Sequence, residues 1–294
     1  MPLPFQLAII SDEIGQDFDR VCAVARELGA DGIEPRGLWD KNLFNLDDAE
    51  VAEAARIVAK HGLAVAGLAT PLFKVDWPGA PLSRYSPPRD EFRAGFGFEQ
   101  QPEVLERAIE LGRRLGAGVL RCFDFWRLAD AAPFRAEMNR MLAEAAATAA
   151  AAGLALALEN EFACNTATGA EAAAVLAAVP GLKLVWDPGN AVVAGEIAYP
   201  DGYRRLPAGR IGHMHCKDAR PASGGHAGVG GWAWAPVGEG AVGWKEQLRA
   251  LHRDGYRGCI SLETHWRGGH SPEEATRRCW AGLQAALSAG VGTA

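Results

Sequence analysis

Eight short apolar runs alternate with longer amphipathic ones along the whole chain. Phe5 to Ile10 (FQLAII) reads as a buried strand. The following Phe18 to Leu28 places Phe18, Val21, Cys22, Ala25 and Leu28 at helical spacing and is closed by Gly29. The same unit recurs. Further strands are expected at Asp31–Pro35, Leu63–Ala69, Val119–Phe123, Leu154–Glu159, Leu182–Asp187, Ile211–Lys217 and Cys259–Thr264. Helices are expected at Asp48–His61, Pro102–Leu115, about 131–152, Gly169–Val179, Trp244–Asp254 and Pro272–Leu287, and Pro188–Gly209 reads as mostly irregular with room for one short helix. No Ser/Gly linker divides the chain, so residues 1–294 are expected to form one domain. Eight parallel βα repeats in 294 residues close most economically into an α/β fold of the (β/α)₈, or TIM barrel, type. An open doubly wound sheet is the rival, but no GxGxxG follows any strand.

Charge and cysteine usage narrow the class of function. Thirty basic residues against thirty-six acidic ones give a net charge of −6, whereas nucleic-acid and anionic-membrane binders neutralise phosphates with basic surfaces. Six scattered cysteines without a CxxC pair read as reduced, buried thiols. MPLPFQLAII lacks a basic leader, and Ser11-Asp12-Glu13 ends its apolar stretch early, so the expected compartment is the cytoplasm. No window reaches the ~18 apolar residues of a membrane span.

A barrel of this kind does its chemistry at the C-terminal ends of its strands. There the fifth strand ends in Glu159, the sixth in Asp187, the seventh carries His213 and His215, and the eighth ends in Glu263 with His265 two residues on. Three converging carboxylates would repel one another and raise their own pKa values. One divalent cation with oxygen and nitrogen ligands resolves that conflict. His213 and His215 face the same side of a strand, with His215 nearer the rim and His213 one layer below.

The segments LALALENEFACNTATGAEAAAVL, LVWDPGNAVVAGE, IGHMHCKDA and VGEGAVGWKEQLRALHRDGYRGCISLETHW resemble the xylose-isomerase-like sugar isomerase and epimerase barrels. The resemblance runs from about residue 5 to 287. It implies that Glu159, Asp187, His215 and Glu263 bind one divalent ion, Mn²⁺, Mg²⁺, Co²⁺ or Zn²⁺. It also implies proton transfer on a small sugar or polyol ketone through an enediolate, with Glu159 and Glu263 as the acid/base pair on opposite faces of the substrate. Two positions depart from the family pattern, Asn190 and Glu161, where relatives often have histidine.

Around this set, Asn190, Lys217, Glu34 and His265 are candidate substrate contacts. Lys217 reads first as an ion pair with Asp218 or Glu239, and Glu34 and Arg36 equally as a rim salt bridge. Two long loops, Thr70–Gln100 and Asp218–Gly243, are expected to enclose substrate, with Trp77, Trp232 and Trp234 able to stack on a sugar. Hydride transfer would use a second metal, for which Asp218 and His265 are the obvious extra ligands. Three rivals stay open: a dehydratase of keto-inositol or shikimate-type compounds, an apurinic-site endonuclease, and a noncatalytic sugar-binding barrel. The endonuclease would need a trinuclear zinc cluster with several additional histidine ligands and a basic DNA groove, whereas of the seven histidines only His213, His215 and His265 read as near the rim of an acidic chain. The expected partner is a small molecule, neither nucleic acid nor membrane, and a homo-oligomer is left open.

Overall fold

The computed structural model describes residues 3–84, 94–222 and 229–292. Eight parallel strands form one sheet: β1 Gln6–Ile10, β2 Gly32–Glu34, β3 Ala64–Val65, β4 Val119–Cys122, β5 Ala155–Glu159, β6 Lys183–Trp186, β7 Ile211–Cys216 and β8 Cys259–Leu262. Their order is β3-β2-β1-β8-β7-β6-β5-β4. The two ends meet just past β3, where Leu68 bridges Leu120 of β4 in parallel. Leu68 N donates to Val119 O at 2.9 Å, and Arg121 N to Leu68 O at 3.0 Å. The sheet thus closes into the expected barrel.

The helices that wrap it are α1 Phe18–Glu27, α2 Asp48–Lys60, α3 Gln101–Leu115, α4 Arg135–Ala151, α5 Gly169–Ala178, α6 Pro188–Val193, α7 Trp244–Arg253 and α8 Pro272–Gly290. Three start with reciprocal caps: Asp47 with Glu50, Thr168 with Glu171 and Ser271 with Glu274. The apolar stripe of α1 is buried as its spacing predicts, with Phe18, Val21, Cys22 and Ala25 in the core. All six cysteines are buried and unpaired. Among the described residues, no helix is long and apolar enough to cross a membrane.

Three features depart from expectation. The β3 strand is only two residues long: Ala66 N and Ala69 N still bond Ile33 O and Pro35 O on the β2 side, while Leu68 between them bridges β4 on the other. Ser11–Ile14 forms a helical turn after β1. The loop after β7 carries an antiparallel hairpin, Asp218–Pro221 against Trp232–Ala235, which its glycine content conceals.

Candidate metal centre

At the C-terminal mouth of the barrel, oxygen atoms of Glu159, Asp187 and Glu263 and a ring nitrogen of His215 all lie within 4.8 Å of one another, and all four side chains are buried. His215 Nδ1 is 3.1 Å from Glu159 Oε1 and 3.7 Å from Glu263 Oε2. Strand geometry accounts for the meeting, since Glu159 ends β5 and His215 lies one residue from the end of β7. Glu263 follows β8 directly, with its N–H bonded to Cys216 O at 2.9 Å. Asp187 is the N-cap of α6: Oδ1 accepts from Asn190 N at 2.8 Å, while Oδ2 has no hydrogen bond. The side-chain amide of Asn160 pins the Asp187 backbone, donating to its carbonyl at 2.7 Å and accepting from its N–H at 2.8 Å.

Basic side chains interleave with these acids. Arg121 Nη1 is 3.0 Å from Glu159 Oε2, and Arg36 Nη1 is 2.5 Å from Glu263 Oε1. Lys217 Nζ lies 2.6 Å from Glu263 Oε2 and 2.9 Å from Asp187 Oδ2, the latter without hydrogen-bond directionality. The Lys217 partners are therefore Asp187 and Glu263, not Asp218 or Glu239. Asp218 is consumed by the backbone N–H groups of Ala219, Gly238, Gly240 and Val242, and Glu239 pairs with Arg278. Gly189 permits the arrangement, because a Cβ there would stand 2.7 Å from Lys217 Cγ.

Burial and charge act in opposition on each group. Burial would raise Glu159, but His215 and Arg121 draw it down to about 2. Glu263, likewise buried, is held well below the carboxylate range by Lys217 and His265. Asp187 is pushed up to about 6 by burial, with Lys217 opposing and Glu159 and Glu263 reinforcing. Burial would lower His215, yet Glu159 and Glu34 hold it up to about 10.

The donor set fits a divalent cation. Five buried carboxylates, Glu13, Glu34, Glu159, Asp187 and Glu263, share three buried cations, Arg36, Arg121 and Lys217. Asp12 and Arg267, at the edge, offset each other. With neutral imidazoles an excess of two negative charges remains, the excess that otherwise keeps a proton on His215. Three carboxylates and an imidazole, one oxygen of them without a hydrogen bond, are ligands of the kind Mn²⁺, Mg²⁺, Co²⁺ and Zn²⁺ accept. Two further groups of donor atoms occur, Glu34 with His213 and His215, and Glu13 with Glu263 and His265. In the second, the Arg36 guanidinium already bonds both carboxylates.

The other expected site residues are placed as follows. Asn190 Nδ2 is 3.3 Å from Glu159 Oε1. His265 Nε2 is 3.2 Å from Glu263 Oε1, and its backbone holds a left-handed φ of 44°, a strained conformation for a side chain this large. Glu34 lies behind His215, its two oxygens on His213 and His215 rather than on the open side of the cluster. Trp234, on the hairpin, stacks on His265 at 5.2 Å and stands 5.2 Å from Lys217 Nζ. Trp77 is instead core, wedged edge-on against Phe98 and Phe125. Trp232 is half-buried and lines a cavity of about 300 Å³ with Phe162, Arg127 and Thr168. Parts of both long loops, 85–93 and 223–228, lie outside the described residues. Asp218 is not an additional metal ligand, since its oxygens are spent on backbone. Glu13, which bonds Arg36 and Arg267, and Asn160 were missed. A charged residue inside the VLRCF strand was the available sign that Arg121 faces the barrel interior.

The sequence profile described as xylose isomerase-like TIM barrel matches residues 22–281. The chain belongs to that family. No curated protein sequence matches it. Among solved structures, the zinc-bound IolI protein is 15% identical, with a TM-score of 0.75 over 97% of this chain and 99% of that one. L-ribulose 3-epimerase is 22% identical, with a TM-score of 0.68 over 99% and 98%. The probable 3-DHS dehydratase AsbF of Bacillus anthracis is 18% identical, with a TM-score of 0.70 over 96% and 98%. The chain spans 43% of another similar structure, a xylose isomerase-like TIM barrel/4-hydroxyphenylpyruvate dioxygenase fusion protein. At these identities the likenesses concern the fold, which several chemistries share.

Proposed function

We propose that the protein is a divalent-metal-dependent sugar isomerase or epimerase, acting on a small polyhydroxy carbonyl compound by proton transfer. The observation that carries this reading is the convergence of Glu159 and Glu263 on His215 Nδ1 from strands three apart, each with its far oxygen fixed by an arginine. Glu159, Asp187, His215 and Glu263 would hold the ion, which when bound polarises a carbonyl and offsets charge on its oxygen. The remaining work falls to side chains. Arg121 pins Glu159 Oε2 and Arg36 pins Glu263 Oε1, so each carboxylate turns its other oxygen into the cluster, Oε1 of Glu159 toward His215 and Oε2 of Glu263 toward Lys217. Both are held in the ionised form, so one can remove the proton from the carbon beside the carbonyl; the other must first take up a proton from solvent to return one to the opposite face, and the first then releases its own. Lys217 sets a positive charge beside the developing oxyanion, and Trp234 with His265 limits water at the rim.

Solvent isotope tests the reading. Turnover of a reactive free ketose in D₂O by the Mn²⁺-reconstituted protein should place deuterium on the carbon next to the carbonyl. Full retention of the original hydrogen would point to hydride transfer. One observation favours a second reading, dehydration: the His265 imidazole stands beside Glu263, where it can deliver a proton to a departing hydroxyl. A keto-inositol substrate that loses water under the same conditions would establish that reading instead.

A further inference from the structure

His213 is enclosed within the barrel, two positions before His215 on β7. Its Nε2 is 2.9 Å from Glu34 Oε2 and 3.0 Å from Ser261 Oγ, whereas its Nδ1 is buried with no hydrogen-bond partner among the described residues. A buried N–H left unpaired forfeits its hydration with nothing in return. The ring therefore keeps its proton on Nε2, where acceptors exist, and leaves Nδ1 bare. The other oxygen of Glu34, Oε1, lies 3.2 Å from His215 Nε2. An ionised carboxylate only accepts, so His215 also presents Nε2–H, while its Nδ1 faces Glu159 and Glu263, protonated in the metal-free site and the nitrogen that can shed its proton to ligate.

We propose that Glu34 and His213 are positioning residues for His215: His213 fixes how Glu34 is used, and Glu34 fixes the His215 tautomer in which Nδ1 is the ligating atom. This rests on the metal reading above. Carboxylate partners of ligating histidines act in this way in metal sites generally. What is particular to this chain is the second imidazole, which gives the lock a direction. In a Glu34→Gln variant the amide has one accepting and one donating end. His213 has no place for a proton on Nδ1, so the amide oxygen must face His213 and the amide nitrogen must face His215 Nε2. The His215 proton is then driven to Nδ1, where Glu159 accepts it, and the ligating atom is blocked.

Wild type, Glu34→Gln, His213→Leu and His213→Gln are compared by Zn²⁺ competition against a chromophoric chelator, by ring ¹⁵N spectra and by circular dichroism for folding. Glu34→Gln and His213→Leu should lose about 10–100-fold in zinc affinity. His213→Gln, whose amide nitrogen reaches the same acceptor, should retain most of it. Zinc-loaded wild type should carry the His215 proton on Nε2, and metal-free Glu34→Gln, with that ring neutral, on Nδ1. Unchanged zinc affinity in folded Glu34→Gln, or equal damage from Gln and Leu at 213, overturns the proposal. If His213→Leu does not fold, Glu34→Gln and His213→Gln decide. Should wild type bind no divalent ion, the proposed function fails. The lock is then decided by metal-free spectra alone, where a His213 proton on Nδ1 refutes it and one on Nε2, with the Glu34→Gln shift at His215, upholds it.

Discussion

The two halves of the barrel contribute opposite things to the same mouth. From β5 to β8 and the residue beyond each come Glu159, Asp187, His215 and Glu263, a set of anions and one imidazole. From β2, β4 and the residues just after them come Glu34, Arg36 and Arg121, which touch that set from behind. The later half offers donors to a cation; the earlier half returns counter-charge and orientation. A buried cluster of acids is costly unless each charge is paired, so the arginines are as necessary to the site as the acids. If this division holds, substitutions in the two halves should fail in different ways.

The largest effect is expected in the later half. An Asp187→Ala/His215→Ala double variant should contain no divalent metal where wild type contains about one per chain, as measured by elemental analysis after gentle purification. The wild type alone should also lose thermal stability on chelation, because a ligand that binds only the folded state stabilises it. Next comes the earlier half. Arg36→Met leaves Glu263, Glu13 and Asp12 without their shared guanidinium, and breaking a buried pair from one side costs about 3–5 kcal/mol. Denaturant titration should show that loss while metal is still bound, since the site has become more negative. Metal loss as complete as in the double variant would erase the distinction between the halves.

The two halves also differed in how far they could be read. Residues that close a strand, such as Glu159 and Asp187, are placed by the strand period and the fold class alone. Their partners are set by tertiary approach: Arg36 reaches Glu263 across 227 positions and Arg121 reaches Glu159 across 38. Local pattern carries no trace of such distances, so Arg36 looked like a rim residue and Lys217 looked like the partner of its neighbour Asp218. Asp218 is already committed to four backbone N–H groups, that of Ala219 beside it and those of Gly238, Gly240 and Val242 past the hairpin that follows. That hairpin was itself hidden, because glycines placed for close approach read as loop. At Gly240, in the turn just past the hairpin, a Cβ would stand 2.1 Å from Asp218 Oδ1.

Glu13 sharpens the comparison, being an earlier-half acid bound to Arg36 and Arg267. Burial would raise it, but His265, Arg36 and Arg267 bring it down to about 2 from an ordinary 4.5. A carboxyl lowered in the folded state stabilises fully above its unfolded value, and that stability is lost as pH falls toward the folded one. The contribution is about 3 kcal/mol at neutral pH. Glu13→Gln in chelator-treated protein should be weaker by about that much at pH 7, with the gap to wild type closing between pH 4.5 and 2. A gap that stays constant across this window would show that Glu13 acts through packing rather than charge.

The smallest expected effect concerns the substrate. If the earlier-half arginines are spent inside the protein, little is left among the described residues to clamp a phosphate, and the substrate is expected to be an unphosphorylated ketose. Arg121 gives its donors to Glu159 and to the carbonyls of Ala69 and Thr70, and Arg36 bonds three carboxylates. The turn Gly238-Glu239-Gly240 is no phosphate cradle, since its Gly238 and Gly240 N–H groups already bond Asp218 Oδ2 at 2.9 and 3.1 Å. Ser271 is likewise occupied, capping α8 with Glu274. Arg267, a partly exposed cation, is paired too, with Glu13. Free ketoses and their phosphates, assayed in pairs, should therefore show no consistent advantage for the phosphate. A preference in kcat/KM above about tenfold, or ~1.4 kcal/mol in transition-state binding, would mean that Arg267 or an earlier-half arginine leaves its carboxylate for the substrate, and the division between the halves would be wrong at that residue.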